Sequence, residues 1–351
     1  MASHDTYMQR CLQLALLGAG NVAPNPMVGA VLVHDDIVIG EGYHKRYGEA
    51  HAEVNCIDSV SDHNRPLIEK STIYVSLEPC AHFGKTPPCA DLIIANRIPK
   101  VVIGCKDNYV EVNGRGIEKL RSAGIEVIEA VLEKEAVALN KRFFTFHQKE
   151  RPYVILKWAQ SSDRKIAMPG FTKIAISNEI SNRLVHKWRS EEAAIMVGTN
   201  TALYDNPSLT TRLWKGKDPV RILLDKDLRT PASHHLLDKK VKTIIFNNKR
   251  DEEEENIVYC KMAVGEFLIP SILKKLHQFK IQSVLVEGGA TLLQSFIDEG
   301  CWDEARVITN DQLIIGDGIH APALKGQRLL KTEHYFLDTI NYYKQAKATT
   351  N

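Results

Sequence analysis

Apolar positions recur at helical spacing through residues 5–19, DTYMQRCLQLALLGA, with Asp5 placed to cap the start and Gly18 or Gly20 to stop the helix. Two short apolar runs follow, VGAVLV (28–33) and IVIGEGY (37–43), which read as strands joined by the turn His34-Asp35-Asp36. A helix is expected to begin near His51. TIYVSLE (72–78) reads as a strand, Cys89 to Arg97 as a helix behind Pro88, and KVVIGC (100–105) as a strand. GIEKLRSAG (116–124) then reads as a helix, IEVIEAV as a strand, and 133–147 as one closing helix.

The polar, proline-containing HQKERPY (147–153) interrupts this pattern, and it predicts a boundary between domains 1–147 and 148–351. Beyond it the alternation restarts. YVILKWA, AAIMVG, VRILLD, KTIIFN, SVLVEGG and EARVIT read as strands; NEISNRLVHKWR, PSILKKLHQF and ATLLQSFIDEG read as helices. The acidic run DEEEE (251–255) reads as a solvated loop. Both halves are therefore α/β, with helices covering a sheet.

With 351 residues, 44% hydrophobic and 25% charged, the chain has the composition of an ordinary globular protein of two domains. A net charge of +2 argues against a surface that coats nucleic acid. No apolar run reaches the roughly 18 residues of a membrane span, and MASHDTYMQR lacks a signal-peptide core, so the expected location is the cytoplasm. Seven cysteines without dense spacing argue against a secreted disulfide scaffold. Cys11, Cys56, Cys105, Cys260 and Cys301 read as plain thiols among apolar neighbours. Cys80 and Cys89 stand apart because of their surroundings.

A catalytic zinc takes three protein ligands of imidazole and thiolate type and keeps one position open. His51, Cys80 and Cys89 supply that count. Each cysteine follows a proline, and a helix start behind each would favour the thiolate. Glu53, two residues from His51, reads as a non-ligand within reach of a zinc-activated water, where a carboxylate can carry a proton to a leaving amine. The same residues also read as a rigid proline loop beside a surface histidine. H-x-E followed by P-C-x-x-C is the signature of zinc nucleobase deaminases; here the second half is P-C-x8-C.

NPMVGAVLV, GEAHAE and LEPCAHFGKTPPC resemble the deaminase domain of the bifunctional riboflavin-biosynthesis deaminase/reductase family, where the longer cysteine spacing is the rule. The resemblance implies a cytidine-deaminase-like zinc domain and makes the residues between the cysteines a substrate-recognition loop. His82 would offer a donor or acceptor, Phe83 a stacking face and Lys85 a cation; a surface loop with a casual lysine is the plain alternative. Asn25, His44 and Glu49 follow from the same resemblance as substrate contacts; a turn residue for His44 and a solvated acid for Glu49 are the plain alternatives.

The second half has no G-x-G-x-x-G. VLVEGGATLLQS places two glycines between a strand and a helix, which suits a phosphate at a helix N-terminus and equally a tight turn. LKWAQSSDRKIA, MVGTNTALYDNPSLTTR and VEGGATLL are similar to the reductase domain of the same family, which implies a dihydrofolate-reductase-like fold and NADPH. By matched motif, Ala159, Ala175, Thr201, Asp205, Gly289, Ala290, Thr291, Leu292, Leu293, Gln294 and Ser295 would line the cofactor. Lys157, Lys173, Arg189, Leu209, Arg212 and Glu287 would face substrate, with the two arginines suited to its phosphate. A core Leu209 and solvated Arg189 and Arg212 are the plain alternatives. Two positions depart from the family pattern. Arg164 stands where S-L-D-G-K has glycine, and Ala175 where W-I-[ST] has tryptophan.

The resemblance covers nearly the whole chain. It implies zinc hydrolytic deamination of 2,5-diamino-6-(5-phosphoribosylamino)pyrimidin-4-one, then NADPH reduction of its ribosyl group to ribityl. The expected partner is that small molecule, with neither nucleic acid nor membrane, and a homo-oligomer is expected. Two alternatives stay open. One is a deaminase of another nucleotide whose C-terminal half only binds ligand. The other is a structural zinc protein, for which His82 is the close candidate as fourth ligand.

Overall fold

The structure, a computed structural model, describes residues 3–81, 83, 87–107, 113–171, 174–263, 265, 266 and 268–346. Three expected substrate contacts, His82, Lys85 and Lys173, lie outside the described residues. The chain divides into two compact units, Met1–Glu150 and Arg151–Asn351.

The first unit runs α1 (His4–Leu16), β1 (Gly29–His34), β2 (Ile37–Tyr43), α2 (Ala52–Asp58), β3 (Thr72–Leu77), α3 (Cys89–Ala95) and β4 (Lys100–Cys105). It continues through α4 (Arg115–Ser122), β5 (Glu126–Ile128), α5 (Glu133–Leu139) and α6 (Lys141–Lys149). Its sheet has the order β2-β1-β3-β4-β5, antiparallel across the first three strands and parallel beyond. Alternate residues of β1 serve opposite faces, as strand pleating requires. Ala30 and Leu32 pack with α2, α3 and α4 residues such as Cys56, Ile93 and Leu120. Val31 and Val33 pack with Met8, Cys11 and Leu14 of α1.

One expected helix is two. The predicted helix over 133–147 breaks at Asn140, whose buried side-chain amide accepts from Met27 N–H (2.8 Å) and donates to Met27 C=O (2.9 Å). A side chain committed to that distant main chain holds its own backbone out of helical geometry.

The second unit contains β6 (Tyr153–Ser161), β7 (Lys165–Ala167), α7 (Glu179–Glu191), β8 (Ala194–Gly198), α8 (Thr199–Asp205), β9 (Val220–Leu224) and β10 (Thr243–Asn247). Then come β11 (Glu252–Glu254), β12 (Ile257–Lys261), α9 (Ile269–Gln278), β13 (Ser283–Val286), α10 (Ala290–Asp298) and β14 (Glu304–Asn310). The unit ends with β15 (Ile319–His320), β16 (Gln327–Tyr335) and β17 (Asp338–Gln345). Its main sheet has the order β11-β12-β10-β9-β8-β13-β6-β14-β17-β16. The seven strands from β12 to β14 are parallel, with antiparallel strands at both edges. Leu273 of α9 and Phe296 of α10 lie in the core on one face, and Val185 of α7 and Ala202 of α8 in cores on the other.

The acidic run is not a loop. Glu252–Glu254 form edge strand β11 against β12. Arg250 pairs with Glu252 and Glu254 and lies 4.0 Å over the Tyr259 ring, which offsets the repulsion among the acids. Acidic side chains on an outermost strand also discourage further strand pairing. Strands β12, β16 and β17 and helix α8 go beyond the sequence expectation.

Candidate active sites

His51 caps α2 in an extended conformation, and Glu53 lies in the first turn of that helix, 3% exposed. Cys89 is the first residue of α3. Cys80 was expected at a helix start as well, but it lies in the irregular segment after β3. Helix α3 serves it instead. The Cys89 N–H lies 3.3 Å from the Cys80 sulfur, and the Ala90 N–H donates to the Cys80 carbonyl (3.1 Å).

Both sulfurs converge on Nδ1 of His51, Cys80 at 3.7 Å and Cys89 at 3.3 Å, and the three candidate ligand atoms lie within 4.8 Å of one another. Among the described residues the cluster has three members. Glu53 is outside it. The Cys89 thiol, with help from His51 and the Cys89 N–H, draws the Cys80 pKa well below that of a free thiol. The Cys89 thiol is pushed up in turn, first by its hydrogen bond with Cys80 and then by burial. Burial raises Glu53 to about 7.

His44 and Asn25 adjoin this cluster. The His44 ring stands edge-on to His51, 5.4 Å between centroids. Its Nδ1 lies 3.0 Å from the Ala50 carbonyl, which only accepts, so Nδ1 carries the proton and Nε2 accepts from the Asn25 amide (3.2 Å). Glu49, by contrast, is exposed and lies 3.9 Å from Arg46. Phe83 is 78% exposed, as a stacking face requires.

In the second unit, Glu287 follows β13 and is gripped from two elements. Arg189 of α7 donates to both its oxygens (2.9 and 2.8 Å), and Lys157 of β6 lies 3.7 Å away. All three side chains are nearly buried, which excludes the solvated alternative for Arg189. Burial opposes charge on Glu287, yet Arg189 and Lys157 hold its pKa down to about 2. Burial lowers Lys157. Arg189 also donates to the Thr210 carbonyl (3.3 Å), and exposed Arg212 donates to the Thr210 hydroxyl (3.1 Å), so the two guanidiniums meet at one residue. The Leu209 side chain is core, packed with Val197 and Ala202, and leaves only its main chain to face a ligand.

The expected cofactor residues divide. Thr201 of α8 accepts from the Gly289 N–H (2.9 Å), joining α8 to the start of α10. Ala159 lies on β6 and Asp205 ends α8. Ala290, Thr291 and Leu292 form the first turn of α10. Leu293 points into the core, and Gln294 and Ser295 spend their side chains on Asp298, the Ala323 N–H and the Thr291 carbonyl. Ala175 is exposed. Arg164 has φ +59°, the left-handed conformation that favours the glycine it replaces.

Residues 1–105 match the family model for the cytidine and deoxycytidylate deaminase zinc-binding region, and residues 152–340 match the RibD C-terminal domain. The riboflavin biosynthesis protein RibD of Aquifex aeolicus (strain VF5) is 41% identical, over 97% of this chain and 98% of its own. The Escherichia coli (strain K12) RibD is 33% identical over 89% of each. The chain belongs to the RibD family.

Among solved structures, the Thermotoga maritima diaminohydroxyphosphoribosylaminopyrimidine deaminase/5-amino-6-(5-phosphoribosylamino)uracil reductase aligns with TM-score 0.89 at 36% identity, covering 97% of this chain and 98% of that one. An Acinetobacter baumannii RibD aligns with TM-score 0.89 at 30% identity, covering 98% and 99%. Like its RibD relatives, this chain is a bifunctional riboflavin-pathway enzyme, a deaminase and reductase of small molecules, with Zn2+ and NADPH as cofactors. The reading in which the C-terminal half only binds ligand is not favoured.

The residues fit both groups. Zinc–sulfur and zinc–nitrogen bonds at a tetrahedral centre put sulfur and nitrogen roughly 3.5 Å apart, which is the spacing of the two cysteines from His51. Two adjacent thiols that resist joint ionisation need a cation to become a ligand pair. For NADPH, Gly289 precedes α10 and, lacking a side chain, leaves the N–H groups of the helix's first turn without a side-chain cap, and a Cβ on the preceding Gly288 would come 3.0 Å from Leu292. Uncapped N–H groups at the carboxyl end of a parallel sheet are where a pyrophosphate binds.

One RibD residue escaped the sequence reading although it stands inside LEPC. The buried Glu78 carboxylate accepts from four backbone N–H groups, those of Asp107, Gly114, Gly116 and Ile117, at 3.0–3.3 Å. It ties the segment that carries Cys80 to the start of α4. No sequence spacing announces a carboxylate whose partners, among the described residues, are main chain and lie 29–39 residues away.

Proposed function

We propose that residues 1–147 deaminate 2,5-diamino-6-(5-phosphoribosylamino)pyrimidin-4-one and that residues 148–351 reduce the ribosyl group of the product to ribityl. The observation that carries this reading is the convergence of Cys80 and Cys89 on His51 Nδ1, with Glu53 buried beside the set and outside it. His51, Cys80 and Cys89 hold the metal. When bound, zinc supplies the Lewis acidity that makes water nucleophilic near neutral pH. Glu53 carries one proton from the attacking water to the ring nitrogen as water adds across the C=N bond, and then carries the remaining hydroxyl proton to the departing amino nitrogen, so that ammonia leaves as the new carbonyl forms. Asn25, oriented by His44, reads the pyrimidine, with His82 and Lys85 contributing from the loop between the cysteines.

In the reductase, NADPH supplies the hydride. Ala159, Ala175, Thr201, Asp205 and Gly289–Ser295 hold it, Leu293 through main chain alone. Lys157, Lys173, Leu209 and Glu287 position the ribosyl end of the substrate, and Arg189 and Arg212 face its phosphate, Arg212 with an exposed guanidinium and Arg189, whose paired donors Glu287 holds, with its charge. The name of the Thermotoga maritima relative, which spells out both substrates, supports this order of steps.

We place the enzyme in the cytoplasm, where its seven unpaired thiols would remain reduced. Among the described residues no helix is long and apolar enough to cross a membrane. A homo-oligomer is proposed from β16, an outermost strand with Leu329 and Leu330 about half exposed. The net charge of +2 supports a reading without nucleic acid.

The test follows ammonia release and NADPH oxidation separately on the diaminopyrimidine ribotide, with Glu53→Gln as control. Ammonia release followed by NADPH loss is expected, and Glu53→Gln should lower the first by about 10²-fold or more with zinc content unchanged. No ammonia from the zinc-loaded enzyme would overturn the substrate assignment.

A further inference from the structure

His186 belongs to none of the groups assigned above, yet it is 6% exposed and hydrogen-bonded to the segment that carries Arg212. It lies on α7 one turn before Arg189, so both side chains leave the same face of the helix. Nδ1 of His186 accepts from the main-chain N–H of Arg212 at 2.9 Å. An N–H only donates, so this ring nitrogen carries no proton. Arg189 holds the same segment through the Thr210 carbonyl (3.3 Å), and Asp218 holds the Thr211 N–H (2.6 Å). The approach to this segment is bent, with Asn206 at φ +41° and Leu209 at φ +54°, both left-handed and neither a glycine. Such a bend persists where surrounding contacts over-determine it.

We propose that His186 is a positioning residue of the reductase, whose neutral imidazole anchors the Arg212 main chain so that Arg212 and Arg189 face one ligand phosphate together. The inference rests on the reading of Arg212 as a phosphate contact. The ring itself does not touch the ligand. It acts through the backbone it holds, and its acceptor nitrogen is the feature that matters. Burial, together with the neighbouring charges of Arg189 and Arg212, keeps the ring neutral and this acceptor available, lowering its pKa to about 4, with Glu287 and a hydrogen bond to the Thr210 main chain opposing in part.

The experiment measures reductase kinetics on the deaminated ribotide for wild type, His186→Phe, His186→Asn, His186→Gln and Arg212→Gln, with ribose 5-phosphate as a competing probe. Asparagine places an acceptor oxygen where Nδ1 lies, whereas glutamine places its oxygen at the far nitrogen. His186→Phe and His186→Gln should raise the KM for the ribotide and the inhibition constant of ribose 5-phosphate by about tenfold. The kcat and the KM for NADPH should stay within about twofold, and His186→Asn should behave as wild type. Equal behaviour of the Asn and Gln variants would overturn the proposal, as would a loss of kcat with a raised KM for NADPH. If the Phe variant does not fold, the Asn–Gln pair decides. Arg212→Gln separates the two claims. If it leaves both constants unchanged, the phosphate reading of Arg212 fails; if it raises them while His186→Gln does not, only the inference about His186 fails.

Discussion

Glu287 is ionised in a place where burial works against it, and the two cations beside it decide the outcome. Its folded pKa of about 2 lies below the ordinary value of 4.5, so the stability it contributes is complete above pH 4.5 and disappears as the pH falls from 4.5 towards 2. The contribution is on the order of 3 kcal/mol. Glu287→Gln should therefore lower the denaturation midpoint strongly at pH 6, and the gap from wild type should narrow once the pH falls below 4.5 and close only towards pH 2. A gap independent of pH would mean that the carboxylate is not held by Arg189 and Lys157. The same scale accounts for Arg164. Its φ of +59° shows that the backbone still adopts the turn a glycine would allow, with the strain of a Cβ in that region. The departure from the family pattern is thus accommodated in the turn itself.

At the scale of elements, the deaminase cluster depends on how closely β3 runs into the start of α4. A Cβ on Gly116 would fall 2.0 Å from the Pro79 carbonyl oxygen, a main-chain atom next to Cys80 that cannot swing aside. Gly116→Ala should cost roughly 2–3 kcal/mol and reduce zinc occupancy, read by thermal denaturation and metal analysis of the same preparation. Unchanged values for both would show that this approach does not position Cys80. The elements most readable from sequence were short runs rich in Val and Ile, such as β2, β4 and β10. Those missed had another reason to exist. Strand β11 consists of acids that only an arginine and a sheet edge make tolerable, and β17 alternates buried and half-exposed residues through the polar, aromatic DTINYYKQ. The single predicted helix over 133–147 broke because Asn140 has its partners at Met27.

For the molecule as a whole, the candidate zinc ligands fall between positions 51 and 89 and the reductase groups between 157 and 295. Stripping the metal with a chelator should abolish ammonia release while NADPH oxidation on the already deaminated ribotide continues. Parallel loss of both activities would refute this division. The candidate zinc donors, Glu53 and the glycines before α10 were legible as candidates in the sequence because their chemistry is carried by residue type and short spacing: a thiol, an imidazole and a carboxylate announce themselves, and so does a glycine pair between a strand and a helix. The family resemblance extended that to the proposed substrate contacts. What only the tertiary structure decided is which atoms meet. That Nδ1 of His51 faces both sulfurs, that Glu78 gathers four N–H groups, that Leu209 and Leu293 turn into the core, and that His186 holds the Arg212 main chain all depend on partners distant in the chain. Main-chain donors and acceptors are the same at every residue, so the pairing of a side chain with a remote backbone leaves no trace in residue type, and only the folded packing selects it.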